Sequence, residues 1–188
     1  LQEGVSAESA SIAGHLGLGN LVVIYDANQI SIEDDTNISF SEDVAARYAA
    51  YGWQTIEVNW RKGEYQEDVH ALYEAIQAAK ADSDRPTLIT LRTIIGWPSP
   101  TKQNTGKIHG SKLGAEELAG LKANLGFDPE KSFEVSEDVI GHTRSLVTRG
   151  SAVRAEWEAR FATWKSANSE SAALLARLEK GELPTDLA

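Results

Sequence analysis

The chain has 188 residues, and its 28 acidic and 18 basic side chains give a net charge of −10, which argues against a nucleic-acid backbone as partner. The apolar fraction of 41% suffices for a packed core, whereas the longest apolar run, Leu21–Tyr25, is far too short to span a bilayer. The absence of cysteine excludes disulfides and thiolate metal sites, so an intracellular, cytoplasmic location fits. The absence of methionine suggests a piece of a longer polypeptide.

Three helix–strand pairs are predicted in the first half of the chain. Helices are expected over 6–17, where Ser6 would be the N-cap, and over 41–51 and 65–80. Each helix is followed by an apolar run typical of a strand: Leu21–Tyr25, Trp53–Val58 and Thr87–Leu91. The first run is uninterrupted, which favours a strand buried on both faces. The alternation predicts an open α/β fold with a mainly parallel sheet.

The second half of the chain begins with a long polar loop. Residues 96–114 are rich in Gly, Pro, Ser, Thr and Asn, and a loop of this length is usually functional or disordered. A short helix is expected over 115–125, and a longer helical stretch over 150–180. The aromatic stripe of that stretch is expected to pack on the domain or on a neighbour. Residues 181–188 are typical of a linker.

A few residues have side chains suited to chemistry. Ligands of open α/β sheets bind beyond the carboxyl ends of the strands, which singles out the loop containing Asn28. Its amide oxygen and nearby carbonyls suit a hard cation, although Asn after a strand is commonly a turn residue. His109, in the long loop, could contact an anion or exchange a proton, or it could simply be solvated. Glu3 and Glu8 flank the start of the first helix, where compensation of the helix dipole is their ordinary role.

Six segments of the sequence together match a known pattern: Leu1–Ser9, Ala13–Leu21, Tyr25–Ile32, Tyr51–Trp53, Thr93–Gly96 and His109–Gly114. On these segments, residues 1–145 resemble the thiamine diphosphate-binding N-terminal domain of the transketolase family, and the sequence is most similar to actinobacterial members. The order and spacing of the segments make the joint resemblance specific. Residues 146–188 resemble a helical extension that links this domain to the next.

The resemblance implies a three-layer α/β/α thiamine diphosphate-binding fold and a homodimeric transferase of the pentose phosphate pathway. Such an enzyme moves a two-carbon ketol unit from a ketose phosphate to an aldose phosphate, and no nucleic-acid or membrane partner is implied. Asn28 and the backbone carbonyl of Ile30 match ligands of Mg²⁺ or Ca²⁺. Asn28 and His109 match cofactor-binding positions, and His109 also matches a catalytic histidine. Glu3 and Glu8 match dimer-interface glutamates that share protons between the two active sites.

Some residues of the family pattern do not occur in this sequence. The family's Gly-Asp-Gly motif, whose aspartate is the charged metal ligand, would directly precede Leu1. The glutamate that activates the cofactor belongs to a following domain, contributed by a partner subunit. Ala27 replaces an aspartate, and Trp60–Glu64 is longer and less polar than expected. We therefore expect these residues alone not to catalyse ketol transfer.

Two other interpretations stay open at this point. The chain could be a non-catalytic fragment, or a subunit that only packs against a partner in a thiamine diphosphate enzyme. It could also belong to a near relative of transketolase, namely dihydroxyacetone synthase or deoxyxylulose-phosphate synthase.

Overall fold

A computed structural model describes residues 3–184. The chain divides into two compact units, Leu1–Lys131 and Ser132–Ala188, and each is described by itself. The boundary predicted between residues 145 and 146 stays a prediction. The last four residues of the predicted linker, 185–188, lie outside the described residues.

The first unit is built on a parallel sheet whose strands match the three predicted runs. Strands β1 (Val22–Asp26), β4 (Gln54–Asn59) and β5 (Thr87–Arg92) are arranged in the order β1-β5-β4. The central strand β5 is buried from Thr87 to Leu91, whereas Ile24 in β1 is 47% exposed. Within residues 3–184, β5 therefore lies at the centre of the sheet and β1 pairs with it on one side, while burial of β1 on both faces stays a prediction.

Helices cover both faces of this sheet. The helices are α1 (Gly4–His15), α2 (Val44–Ala50) and α3 (Val69–Ala81). The chain runs from β1 across to β4 and then returns to β5, so right-handed connections require α2 and α3 to lie on opposite faces. The predicted three-layer α/β/α fold is confirmed. The core of one face contains Ala10, Ala13, Tyr48, Trp53 and Leu88, and that of the other contains Val58, Ala75, Ala79, Ile89 and Leu91.

The first helix differs from its prediction at its start and in its buried face. It begins at Gly4 with Glu3 at the N-cap, so the prediction that Ser6 is the cap is wrong. The small residues Ala10 and Ala13 face the core, and the indole Nε1 of Trp53 donates a 2.8 Å hydrogen bond to the carbonyl of Ala10. Close approach of α1 therefore depends on small side chains.

A short hairpin after β1 was not predicted. Strands β2 (Ile30–Ser31) and β3 (Asp34–Asp35) pair in antiparallel fashion, and a 3₁₀ turn over Thr36–Ile38 follows. Gln29 and Asp34 have φ angles of 64° and 74°, a region that non-glycine residues seldom enter. Two-residue strands entered through such conformations leave no periodic signal in the sequence.

Three α-helices follow the long loop after β5. Helix α4 (Ala115–Asn124) ends close to its prediction, and the second unit contains α5 (Glu137–Ala167) and α6 (Ser169–Glu179). Helix α5 thus begins well before residue 150. Ser136 caps its start, and the side chain of Ser136 accepts a hydrogen bond from the backbone N–H of Val139. No helix within residues 3–184 combines the length and apolarity needed to cross a membrane.

The aromatic stripe of α5 is formed by side chains that stack on one another. The ring centroids of Trp157 and Phe161 lie 4.7 Å apart, and those of Phe161 and Trp164 lie 5.6 Å apart. Arg154 covers the Trp157 ring, with its guanidinium 5.4 Å from the centroid. The stripe is thus organised within the helix itself.

Candidate functional site

The predicted metal ligands lie in the turn that leaves β1. The side-chain oxygen of Asn28 accepts a 2.9 Å hydrogen bond from the backbone N–H of Ile30, which folds the turn back on itself. The left-handed conformation of Gln29 permits this fold, and its carbonyl accepts from the N–H of Thr36 at 3.0 Å. The amide oxygen of Asn28 is therefore held beside the backbone of Ile30, as a shared ligand role requires.

These two residues fit part of a coordination shell for a hard cation. An amide oxygen and a backbone carbonyl are oxygen ligands of the kind that Mg²⁺ and Ca²⁺ prefer, but both are neutral and such ions take six or more ligands. Within residues 3–184, no three His, Asp or Glu side chains form a group that could hold a metal. Other groups would have to supply the remaining ligands and any negative charge.

The long loop after β5 is tied to the same edge of the sheet. The Thr93 hydroxyl, just beyond β5, hydrogen-bonds to the carboxylate of Asp26 at the end of β1. Gly96 has a φ of 70°, and a Cβ at this position would lie 1.9 Å from Cδ1 of Ile108. Glycine suits this position, because the backbone conformation strains any other residue and an added Cβ would force the Ile108 side chain to move. Ile108 therefore packs over the backbone of Gly96, directly before His109.

His109 is exposed and follows a 3₁₀ turn over Gly106–Ile108. Its backbone N–H donates to the carbonyl of Gly106 at 3.0 Å, and the N–H of Gly106 donates to the carboxylate of Asp34 in the hairpin. A Cβ on Gly106 would lie 2.6 Å from the carbonyl oxygen of Ile32. The segment before His109 thus rests on the hairpin that begins at Ile30, so the two predicted site segments are adjacent.

Arg61, just beyond β4, joins the two loops and was not predicted as a site residue. One guanidinium nitrogen, Nη1, is 3.5 Å from the carbonyl of Asn28 and 3.3 Å from Oε1 of Gln29. The other, Nη2, is 3.4 Å from Oδ1 of Asn104 in the long loop. The side chain therefore contacts polar groups beyond β1 and β5 and carries a positive charge beside Asn28. The sequence signal was the long Trp60–Glu64 segment.

The chain just after the Trp60–Glu64 segment also covers part of the long loop. The ring of Tyr65 packs on that of Trp97 with centroids 5.0 Å apart. Burial raises the pKa of the Tyr65 hydroxyl above its ordinary value, so this group is neutral at physiological pH. The segment after β4 therefore helps to define the conformation of the loop after β5.

The two glutamates predicted at a dimer interface belong to α1 rather than to these loops. Glu3 precedes the helix, and Glu8 lies one turn inside it; both are exposed. Val5 and Ile12 occur at helical spacing from Glu8 and are 62% and 54% exposed. Glu8 thus lies on an exposed helical face that also carries large apolar side chains.

Comparison with known proteins identifies the family. The family model described as the transketolase thiamine diphosphate binding domain matches residues 1–184. The chain belongs to this family. It spans about a quarter of the length of the curated transketolases that it matches.

Individual transketolases match over nearly the whole chain. The transketolase of Mycobacterium leprae is 52% identical over 98% of this chain and 26% of its own length. Transketolase 2 of Saccharomyces cerevisiae is 44% identical, with the same coverage of both chains. A Pichia stipitis transketolase solved with sedoheptulose-7-phosphate has a TM-score of 0.85 and 40% identity, over 98% of this chain and 27% of that one. The Leishmania mexicana enzyme has a TM-score of 0.86 and 39% identity, over the same shares.

Proposed function

We propose that this chain supplies the metal- and diphosphate-binding part of a transketolase. The proposed reaction is transfer of a two-carbon ketol unit from a ketose phosphate to an aldose phosphate. The observation that carries it is the match of residues 1–184 to the family, together with sequence identities near 50% to curated transketolases. The cytoplasm stays the expected location.

The proposed ligands are residues of the turn after β1. The Asn28 amide oxygen and the Ile30 carbonyl would hold Mg²⁺ or Ca²⁺, which would supply positive charge for binding the cofactor's diphosphate. The hydrogen bond between Asn28 and Ile30 supports this assignment, because it fixes the amide oxygen before any ion binds. Arg61 adds a positive charge beside the turn, which favours an anionic ligand there.

His109 is proposed as a catalytic residue. When bound, the thiazolium of the cofactor supplies the carbon nucleophile and the electron sink for the two-carbon unit. The protein must bind, orient and exchange protons with the sugar's oxygens, and an exposed imidazole at the end of an anchored loop suits that role. The proposal assigns this proton exchange to His109.

The exposed apolar face of α1 supports the proposed homodimer. Val5, Ile12 and Leu16 each expose more than half of their surface, around the carboxylate of Glu8. Large apolar side chains clustered on one helical face are typical of an interface. We propose that Glu8 and Glu3 lie at this interface and exchange protons between the two active sites.

The test uses the intact protein and three variants at predicted site positions. His109→Ala is expected to lower kcat by about 10²- to 10⁴-fold, the usual contribution of a proton-transfer residue. Asn28→Ala is expected to weaken Mg²⁺-dependent binding of thiamine diphosphate by at least about tenfold. Glu8→Gln is expected to weaken dimer association in sedimentation measurements.

Matched controls and co-substrates make the outcome decisive. His142→Ala and Asn37→Ala change exposed residues of the same types outside the proposed site and should behave as the wild type. A product assay with formaldehyde or pyruvate as co-substrate separates the relatives: turnover of formaldehyde would favour dihydroxyacetone synthase, and turnover of pyruvate would favour deoxyxylulose-phosphate synthase. Full activity of His109→Ala would show that the proposed catalytic role is wrong.

A further inference from the structure

Glu117, on the first turn of α4, is a buried carboxylate for which the proposed mechanism has no use. Only 9% of its surface is exposed. It accepts hydrogen bonds from the backbone N–H and hydroxyl of Thr101, both at 2.8 Å, from the backbone N–H of Lys102 at 3.1 Å and from the hydroxyl of Ser99. These four donors are neutral groups of one short segment, so Glu117 holds residues 99–102 against α4.

The hydrogen bonds keep this carboxylate ionised. The Ser99 hydroxyl, followed by the N–H of Thr101, lowers the pKa of Glu117 to about 2. Hydrogen bonds to an ionised acceptor are stronger than those between neutral groups. The contact is therefore a charge-assisted anchor at neutral pH.

Lys102 extends the anchor to the far side of His109. Its backbone N–H is held by Glu117, while its side-chain Nζ donates to the carbonyl of Leu113 at 2.6 Å and approaches that of Lys112 at 3.4 Å. Its own carbonyl accepts from the Thr105 hydroxyl at 2.7 Å. The segment from Lys102 to Leu113 is thus closed at its base, and the closed segment contains His109.

We propose that Glu117 is a positioning residue for His109, acting through Lys102. The inference rests on the proposed function of His109. Glu117 fixes where the base of the closed segment sits on α4, and the Lys102 side chain fixes how the two ends of the segment meet. A shift of about 1 Å in a catalytic group lowers the rate by about two orders of magnitude. Other contacts also hold the loop, so loss of Glu117 costs less than loss of His109.

The first experiment compares kcat, KM and cofactor affinity in the intact protein. Glu117→Ala is expected to lower kcat by about ten- to a hundredfold, while binding of thiamine diphosphate with Mg²⁺ stays within about twofold. Glu117→Gln should recover most of the activity, because its amide oxygen can accept the same N–H donors and the Thr101 hydroxyl can accept from its NH₂ group. Glu116→Ala, at the exposed neighbouring position, is the matched control and should leave kcat unchanged.

A double-mutant cycle separates positioning from general damage. If Glu117 acts through His109, Glu117→Ala causes no further loss of kcat in a His109→Ala background. Lys102→Met, which retains the backbone contact to Glu117, should reproduce part of the kcat loss even if Glu117→Ala fails to fold. Trypsin should cleave after Lys107 faster in both variants than in Glu116→Ala.

Two results would overturn the inference. One is an unchanged kcat in both Glu117→Ala and Lys102→Met. The other is an equal loss of kcat with and without His109, which would mean a structural role only. Failure of the proposed function is a distinct result, because His109→Ala would then itself retain ketol transfer.

Discussion

Replacing Gly96 with alanine tests whether Ile108 is packed over the backbone beside the candidate site. The added Cβ would lie 1.9 Å from Cδ1 of Ile108, so this atom has to move about 1.5 Å to reach an ordinary contact distance of 3.4 Å. The φ of 70° adds backbone strain, which costs alanine roughly 1–2 kcal/mol. Overpacking typically costs a further 1–3 kcal/mol. We expect Gly96→Ala to lower the free energy of unfolding by about 2–5 kcal/mol, the sum of these two costs.

Gly110→Ala is the matched control within the same loop. Gly110 has a similar φ of 77°, but a Cβ there would meet nothing within 4 Å. Only the backbone strain applies, partly offset by the lower entropy of the unfolded chain, so a cost of about 1 kcal/mol is expected. The difference between the two variants therefore measures the contact with Ile108.

Urea unfolding followed by circular dichroism measures both costs. Truncation of Ile108 to alanine should relieve the clash, so the double variant should lose less stability than the sum of the two single variants. The expected coupling is about 1–3 kcal/mol. Equal costs for Gly96→Ala and Gly110→Ala, or strict additivity with Ile108→Ala, would refute the packing of Ile108 over Gly96.

Four further predictions concern other positions of the chain. The pKa of Glu117 is about 2 in the fold and near 4.5 when unperturbed, so its stabilisation is complete above pH 4.5 and is lost as pH falls towards 2. Glu117→Gln should reduce the decrease of the unfolding midpoint over this acidic range. Glu116→Gln should leave that decrease unchanged. Leu88→Ala, at a fully buried position of β5, should cost about 2–5 kcal/mol in urea unfolding. Arg61→Gln should shift the NMR amide signals of both loops that Arg61 contacts. Gly150 lies on α5 in open space, so Gly150→Ala should raise the stability of the helix, measured by hydrogen exchange, by up to about 1 kcal/mol.

The strands of the sheet could be predicted because their signal is local. Apolar runs rich in β-branched residues predicted all three strands of the parallel sheet, within two residues of the observed bounds. Their order in the sheet could not be predicted, because burial of β5 between its neighbours depends on pairings more than 30 residues away. The uninterrupted run at Leu21–Tyr25 likewise does not indicate which strand β1 pairs with.

The site residues divide in a similar way. Asn28, Ile30 and His109 were named from a resemblance, and their roles stay predictions. Arg61 and Glu117 were missed because their contacts are tertiary. A glutamate on the first turn of a helix ordinarily serves the helix dipole, and nothing local indicates that Glu117 binds donors 15 to 18 residues upstream.

Several separate contacts hold the long loop that carries His109, so the positioning of His109 can be tested separately from the proposed proton exchange by its imidazole. Glu117 binds the Thr101 N–H in the first part of the loop, and the Lys102 side chain binds the carbonyl of Leu113. Ile108, directly before His109, packs on Gly96. Because these contacts are independent, loss of one leaves the others in place, and the position of His109 should degrade by steps. Variants at the anchors should therefore give graded losses of kcat, and two anchor losses together should cost about the sum of the single losses in free energy. The imidazole is either present or absent, so its contribution to kcat cannot be lost in part. Only variants of His109 should therefore remove that contribution in one step.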